Sequence, residues 1–126
     1  MIHDKDYIMR IVKNFSNMLS KLILGKNESD LIELQRTFDT QMNDIFKLNF
    51  DKLSEKSTAE ILDFVNAKEE SHQIAYLELL GNLFYVKGKE LEKSGMLLKS
   101  KTFYEMYLQR SGIFAMPIIS RINELK

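Results

Sequence analysis

The sequence has no cysteine, one proline, five glycines and two histidines in 126 residues. Each scarcity excludes something. Without cysteine there is no disulfide framework, thiolate zinc site or cysteine nucleophile, and the composition suits a reducing compartment. So few chain breakers favour helices over a turn-rich β fold. No apolar stretch reaches the roughly 18 residues that span a bilayer. The opening MIHDKDYIMR lacks the apolar core and small-residue end of a signal peptide. A cytoplasmic location is therefore expected. Charge of one sign is missing too, with 18 basic and 18 acidic residues, so no general attraction to nucleic acid is expected.

The charges that are present are segregated. Residues 1–26 carry +3, residues 27–70 carry −6 and residues 71–126 carry +3. An acidic middle docking between basic ends, or between subunits, follows from that pattern. The length suits one helical domain over residues 1–126.

Apolar periodicity predicts the helices. Tyr7, Ile8, Ile11, Val12, Phe15, Met18, Leu19, Leu22 and Ile23 recur at three- and four-residue steps, which puts them on one helix face. The first helix is expected over about Asp6–Leu24, with Asp4 or Asp6 as its cap and Gly25 as its stop. A second starts near Ser29 or Asp30, where Asp30 and Glu33 resemble a capping box, and carries Leu31, Leu34, Phe38, Met42, Ile45 and Phe46 to about Lys47. In residues 48–57, Phe50 and Leu53 pin a short helical turn. Ser57 and Glu60 form another capping box, opening a third helix that ends near Asn66 and Ala67. The fourth runs from about Glu69 to Ser94. The fifth, from about Met96 to Arg110, follows a turn at Ser94 and Gly95. Gly112 then breaks the chain, and a sixth helix holds Ile118, Ile119, Ile122 and Leu125, with Pro117 in its first turn. The expected fold class is all-α: five to six antiparallel helices arranged as stacked hairpins.

The fourth helix is the centre of the pattern. From Ile74 to Val86 only Glu78, Gly81 and Asn82 interrupt an apolar run, and a helix apolar on nearly every side is surrounded by others. Gly81 and Gly88 stand two turns apart on one side, at a cost of about 1 kcal/mol each against alanine. A close helix crossing there is expected.

Gly88, Gly95, Ser100, Tyr104 and Tyr107 are spaced seven, five, four and three apart, and Phe84 stands four before Gly88. Over about Leu83–Gly112 this resembles a tetratricopeptide repeat, whose two helices carry small and aromatic residues at those steps. Lys87, Leu91, Tyr107 and Gly112 depart from the usual leucine, tyrosine, small residue and proline. The resemblance implies a repeat-like helical hairpin. The whole layout also resembles a family of small helical proteins of Gram-positive bacteria, through the DYIMR stretch at Asp6–Arg10 and the closing hairpin. That likeness implies a fold and no activity.

Catalytic and metal chemistry has little support. His3 with Asp4 and Asp6 reads as a solvated terminus. Glu69 and His72 have the spacing of a carboxylate-bridged di-iron motif, but a second motif is missing, and a surface histidine is the simpler reading. Neither a phosphate loop nor a nucleophile elbow occurs. No enzyme, cofactor or metal is expected. The amphipathic first helix suits packing better than a membrane surface. Lys87, Lys89, Lys93, Lys99 and Lys101 gather near the hairpin turn. They leave nucleic acid or anionic lipid as an alternative, less favoured than a solvated tip. Tyr76, Tyr85, Tyr104 and Tyr107 combine apolar area with a polar tip, a combination enriched in interfaces. The leading expectation is a non-catalytic protein- or peptide-binding module that uses Tyr104, Tyr107, Lys99 and Lys101, with homodimerisation wherever an outer helix leaves an apolar face.

Overall fold

The computed structural model describes residues 4–26 and 30–125, with side chains from Asp6 onward. His3 and the Ser29 start lie outside the described residues, and Asp4 is described as a helical residue without its side chain. The apolar stripe of the first helix folds as α1 (Asp4–Ile23), so Asp6 falls inside its first turn rather than at its cap. Gly25 then takes a left-handed φ of 70°, a conformation that glycine adopts without a Cβ clash. Asp30 caps α2 (Leu31–Phe46) by accepting a hydrogen bond from the Glu33 amide at 2.7 Å.

Asn49 caps a further helix, α3 (Phe50–Glu55), and Ser57 and Glu60 make a complete capping box for α4 (Thr58–Asn66). The central helix is α5 (Glu70–Leu91), followed by α6 (Ser94–Ser111) and α7 (Met116–Glu124). The described residues thus form seven helices and no strand. The count exceeds the expected five to six because six residues at Phe50–Glu55 suffice for a capped helix once Phe50 and Leu53 are buried. The turn between α5 and α6 also differs from expectation. Glu92 closes α5 in the left-handed conformation, φ 53°, and Gly95 lies inside the first turn of α6.

Helix direction alternates along the chain. Lys99 at the start of α6 reaches Ser54 and Lys56 at the end of α3, whereas Arg110 at the end of α6 reaches Asn66 and Gln73. The start of α1 lies by the start of α5 and its end by the end of α5, and Arg121 meets Asn82 while Glu124, further on, meets Tyr85, so α1, α5 and α7 point the same way. Buried residues from all seven helices join one core, with Phe15, Leu19, Met42, Ile61, Leu80, Phe84 and Phe103 among the deepest. A chain of ring contacts runs through it: Phe15–Phe38, Phe38–Phe50, Phe50–Phe84 and Phe84–Phe103, with centroids 5.4–6.4 Å apart.

The glycines of α5 decide how closely α6 lies. A Cβ on Gly81 would sit 2.5 Å from Tyr104 Cε1 and nearer still to Cδ1, and one on Gly88 would sit 2.7 Å from Leu97 Cδ2. Ser100, one turn from Tyr104, donates a 2.7 Å hydrogen bond from its hydroxyl to the Gly81 carbonyl. Tyr104 cannot swing aside because its hydroxyl is tied to Asn82. Gly81→Ala is therefore expected to destabilise by about 2 kcal/mol through overpacking. Gly95→Ala, whose Cβ meets open space, is expected to be neutral or to stabilise by up to about 1 kcal/mol. Urea unfolding of the two variants checks the contrast; equal effects would remove the close-crossing argument.

Candidate binding groove

A polar cluster lies where α1, α5, α6 and α7 meet. Asn82 is its centre. Its Nδ2 donates to Ser16 Oγ at 2.9 Å and to the Ser16 carbonyl at 3.3 Å. Its Oδ1 accepts from the Tyr104 hydroxyl at 2.6 Å and from Arg121 Nη1 at 3.1 Å, and the same nitrogen donates to the Tyr104 oxygen at 3.1 Å. All four side chains are buried. The Arg121 guanidinium also lies 5.8 Å from the ring centres of both Tyr85 and Tyr104, where the aromatic faces favour a cation. A buried arginine is costly without partners; this one is hydrogen-bonded by neutral groups, faces two rings, and lies within electrostatic reach of Glu78 and Glu124. Burial drives the Tyr104 hydroxyl far above its ordinary pKa, so it stays protonated and can donate to Asn82.

One turn before Asn82 on α5 is Glu78, half-buried. Burial raises its pKa, and the charge of Arg121 opposes the rise without cancelling it. Glu78 opens into a groove of ≈ 780 Å³. Asp6, Met9, Arg10, Lys13 and Asn17 of α1 form one wall, Ser71, His72, Ile74, Ala75 and Glu78 of α5 the floor, and Tyr107 of α6 the far side. The groove exists because α7 is short. It begins at Met116 and runs along α5 past Asn82 towards Lys89, leaving the first half of α5 open between α1 and α6. At the end of the molecule where α1 begins and α6 stops, Tyr7, Ile113, Phe114 and Met116 are exposed, Phe114 by 78%. The groove therefore has hydrogen-bonding walls of both charges, and the exposed apolar side chains lie outside its lining, at the same end of the bundle.

The surface expected at Tyr104, Tyr107, Lys99 and Lys101 does not form as one surface. Tyr104 is completely buried. Tyr76, Tyr85 and Tyr107 are buried as well, because they lie on the faces of α5 and α6 that pack against each other and against α1, α4 and α7. Of the four expected residues only Tyr107 lines the groove. Lys99 is half-buried and donates to the carbonyls of Ser54 and Lys56 at 3.0 and 2.8 Å, closing the end of α3. Lys101 is half-buried on α6. Lys87 pairs with Glu90 and lies over the Phe38 ring, and Lys89 pairs with Glu124. Most of the lysine cluster is thus engaged within the chain. His72 stands 3.7 Å from Glu69 on the groove floor, and among the described residues no three metal-ligating side chains gather.

Asn82, Arg121 and Glu78 were not among the expected site residues. Arg121 had a signal: it shares the spacing of Ile118, Ile122 and Leu125, so a charge falls on the apolar face of α7. Neither a family model, nor a curated protein, nor a solved structure matches the chain. The groove must be understood from its own residues.

Two outcomes follow. Asn82→Ala leaves the Tyr104 and Arg121 donors without their buried acceptor and is expected to cost about 3 kcal/mol in urea unfolding. For Glu78, a pKa raised on folding stabilises the protein below the unfolded value of about 4.3 and loses that contribution as pH rises through the folded value. Glu78→Gln should therefore melt a few degrees above the wild type at pH 7, and the gap should shrink towards pH 4. A gap that does not depend on pH would remove the burial argument.

Proposed function

We propose that the protein is a non-catalytic binding module that holds an extended polypeptide segment in the groove between α1 and α6 above α5. The reading rests on one observation, the open ≈ 780 Å³ groove whose lining mixes donors and acceptors. An extended segment presents unpaired N–H and C=O groups. Arg10, Lys13, Asn17, Ser71 and His72 offer donors, and Glu78 and the Asn17 carbonyl offer acceptors. The exposed Ile113 and Phe114 supply an apolar contact for a side chain of the segment, the kind of anchor that carries most of the affinity in such interfaces. The network of Asn82, Tyr104 and Arg121 holds the floor rigid behind the groove, which limits the ordering cost of binding.

The proposal includes the architecture. We read α1–α2 and α5–α6 as repeat-like hairpins, with α7 as a closing first arm, in keeping with the tetratricopeptide-like spacing of Phe84, Gly88, Gly95, Ser100 and Tyr104. The parallel course of α1, α5 and α7 supports this reading, and stacked hairpins of that kind present concave surfaces to extended partners.

Ala75, half-buried on the groove floor, gives the test. Random peptides displayed on phage are selected on the wild-type protein and re-measured on Ala75→Arg, whose side chain would occupy the groove. Enriched peptides should bind the variant about tenfold or more weakly, a loss of about 1.4 kcal/mol, while its melting temperature stays close to wild type. If no peptide enriches, or if enriched peptides bind both proteins alike, the groove is not a polypeptide site.

A further inference from the structure

The end of the bundle away from Phe114 carries a second apolar surface that the groove does not use. There α1 and α5 finish and α2 begins. Leu31 and Ile32, in the first turn of α2, are 83% and 75% exposed, and Leu24 and Leu91 nearby in the topology are 54% and 45% exposed. Beside them is a mainly apolar trough of ≈ 310 Å³ walled by Met18, Leu22, Leu34, Phe38 and Val86, with Leu31 on its lip and Gln35, Lys87 and Glu90 as its polar edge. We propose that this end is the face of a two-fold homodimer, in which Leu31 and Ile32 of each copy enter the trough of the other.

A second copy is the occupant because one face carries both halves of the contact. An isologous interface requires a patch to hold a feature and its complement together. Here Leu31, with Ile32 beside it in the chain, projects at the edge of a trough that is mainly apolar. The charges follow the same rule. The last turn of α1 and the residues after it carry Lys21 and Lys26, and the start of α2 carries Asp30 and Glu33, all of them exposed. A two-fold rotation can lay the basic side of one copy over the acidic side of the other, which favours this pairing over a shifted one. The size is also adequate. Four leucine and isoleucine side chains at these exposures leave on the order of 400 Å² of apolar surface per copy. That is about half of the ~800 Å² per partner that a stable interface buries, and a polar rim is the usual remainder.

Sedimentation velocity of the full chain, from about 1 to 100 µM, tests the proposal. The wild type should move from the monomer mass of 14.8 kDa towards twice that mass as concentration rises. Leu31→Asp with Ile32→Glu should remain at the monomer mass throughout. That double variant places acidic groups in the first turn of α2, where the helix dipole favours them, so its melting temperature should match or exceed that of the wild-type monomer. Phe114→Ser, at the opposite end, should leave the dimer intact. A wild type that stays monomeric at 100 µM overturns the proposal. So does a dimer that survives the α2 double variant or that is lost in Phe114→Ser.

Discussion

Arg121 is the constraint on which the centre of the molecule depends. A guanidinium removed from water needs its donors occupied and its charge countered. This chain gives Nη1 the Asn82 and Tyr104 oxygens, sets the cation against two aromatic faces, and places the Glu78 and Glu124 carboxylates where they feel its charge. Because Asn82 also holds Ser16, one amide side chain fixes the relative positions of four helices. Apolar packing alone tolerates sliding between helices; hydrogen bonds with fixed lengths do not. The register of α1 and α7 against α5 follows from residues at which the sequence departs from the hydrophobic pattern.

The hairpin of α5 and α6 rests on a different kind of constraint, the lack of a side chain. Gly81 lets the Tyr104 ring lie against the backbone of α5, and that approach brings the Tyr104 hydroxyl within reach of Asn82. The two constraints are coupled. A wider hairpin would strand both the hydroxyl and the arginine behind it. Glu78, one turn away, bears the consequence: it stands partly desolvated beside a cation that is already engaged.

The helices were legible in the sequence because their signals are local. Caps at Asp30 and Ser57, the stop at Gly25 and the stripes of α1 and α2 involve residues within a few positions of one another. Helix α3 was half-legible, since Phe50 and Leu53 announced burial, but the Asn49 cap and the Lys99 contact that complete it did not stand out. The turn after α5 comes earlier than Gly95 implies, because Glu92 adopts a conformation usually left to glycine. The site was the least legible part. Exposure of Tyr104 depends on whether α7 folds back over α6, a contact between distant residues that no periodicity encodes. The groove is likewise a space left uncovered by the shortness of α7, and such a space leaves no mark on any one segment.

The contact of Lys99 with the end of α3 has a consequence for how the chain is made. A helix of six residues is too short to persist by itself, and two of its end carbonyls are satisfied by a lysine more than forty positions later. During synthesis the first half of the chain emerges without that lysine, and without the α5 surface against which Phe50 packs. The helix between α2 and α4 therefore depends on residues of α5 and α6 that are made after it. Its stability is set by those later helices more than by its own six residues.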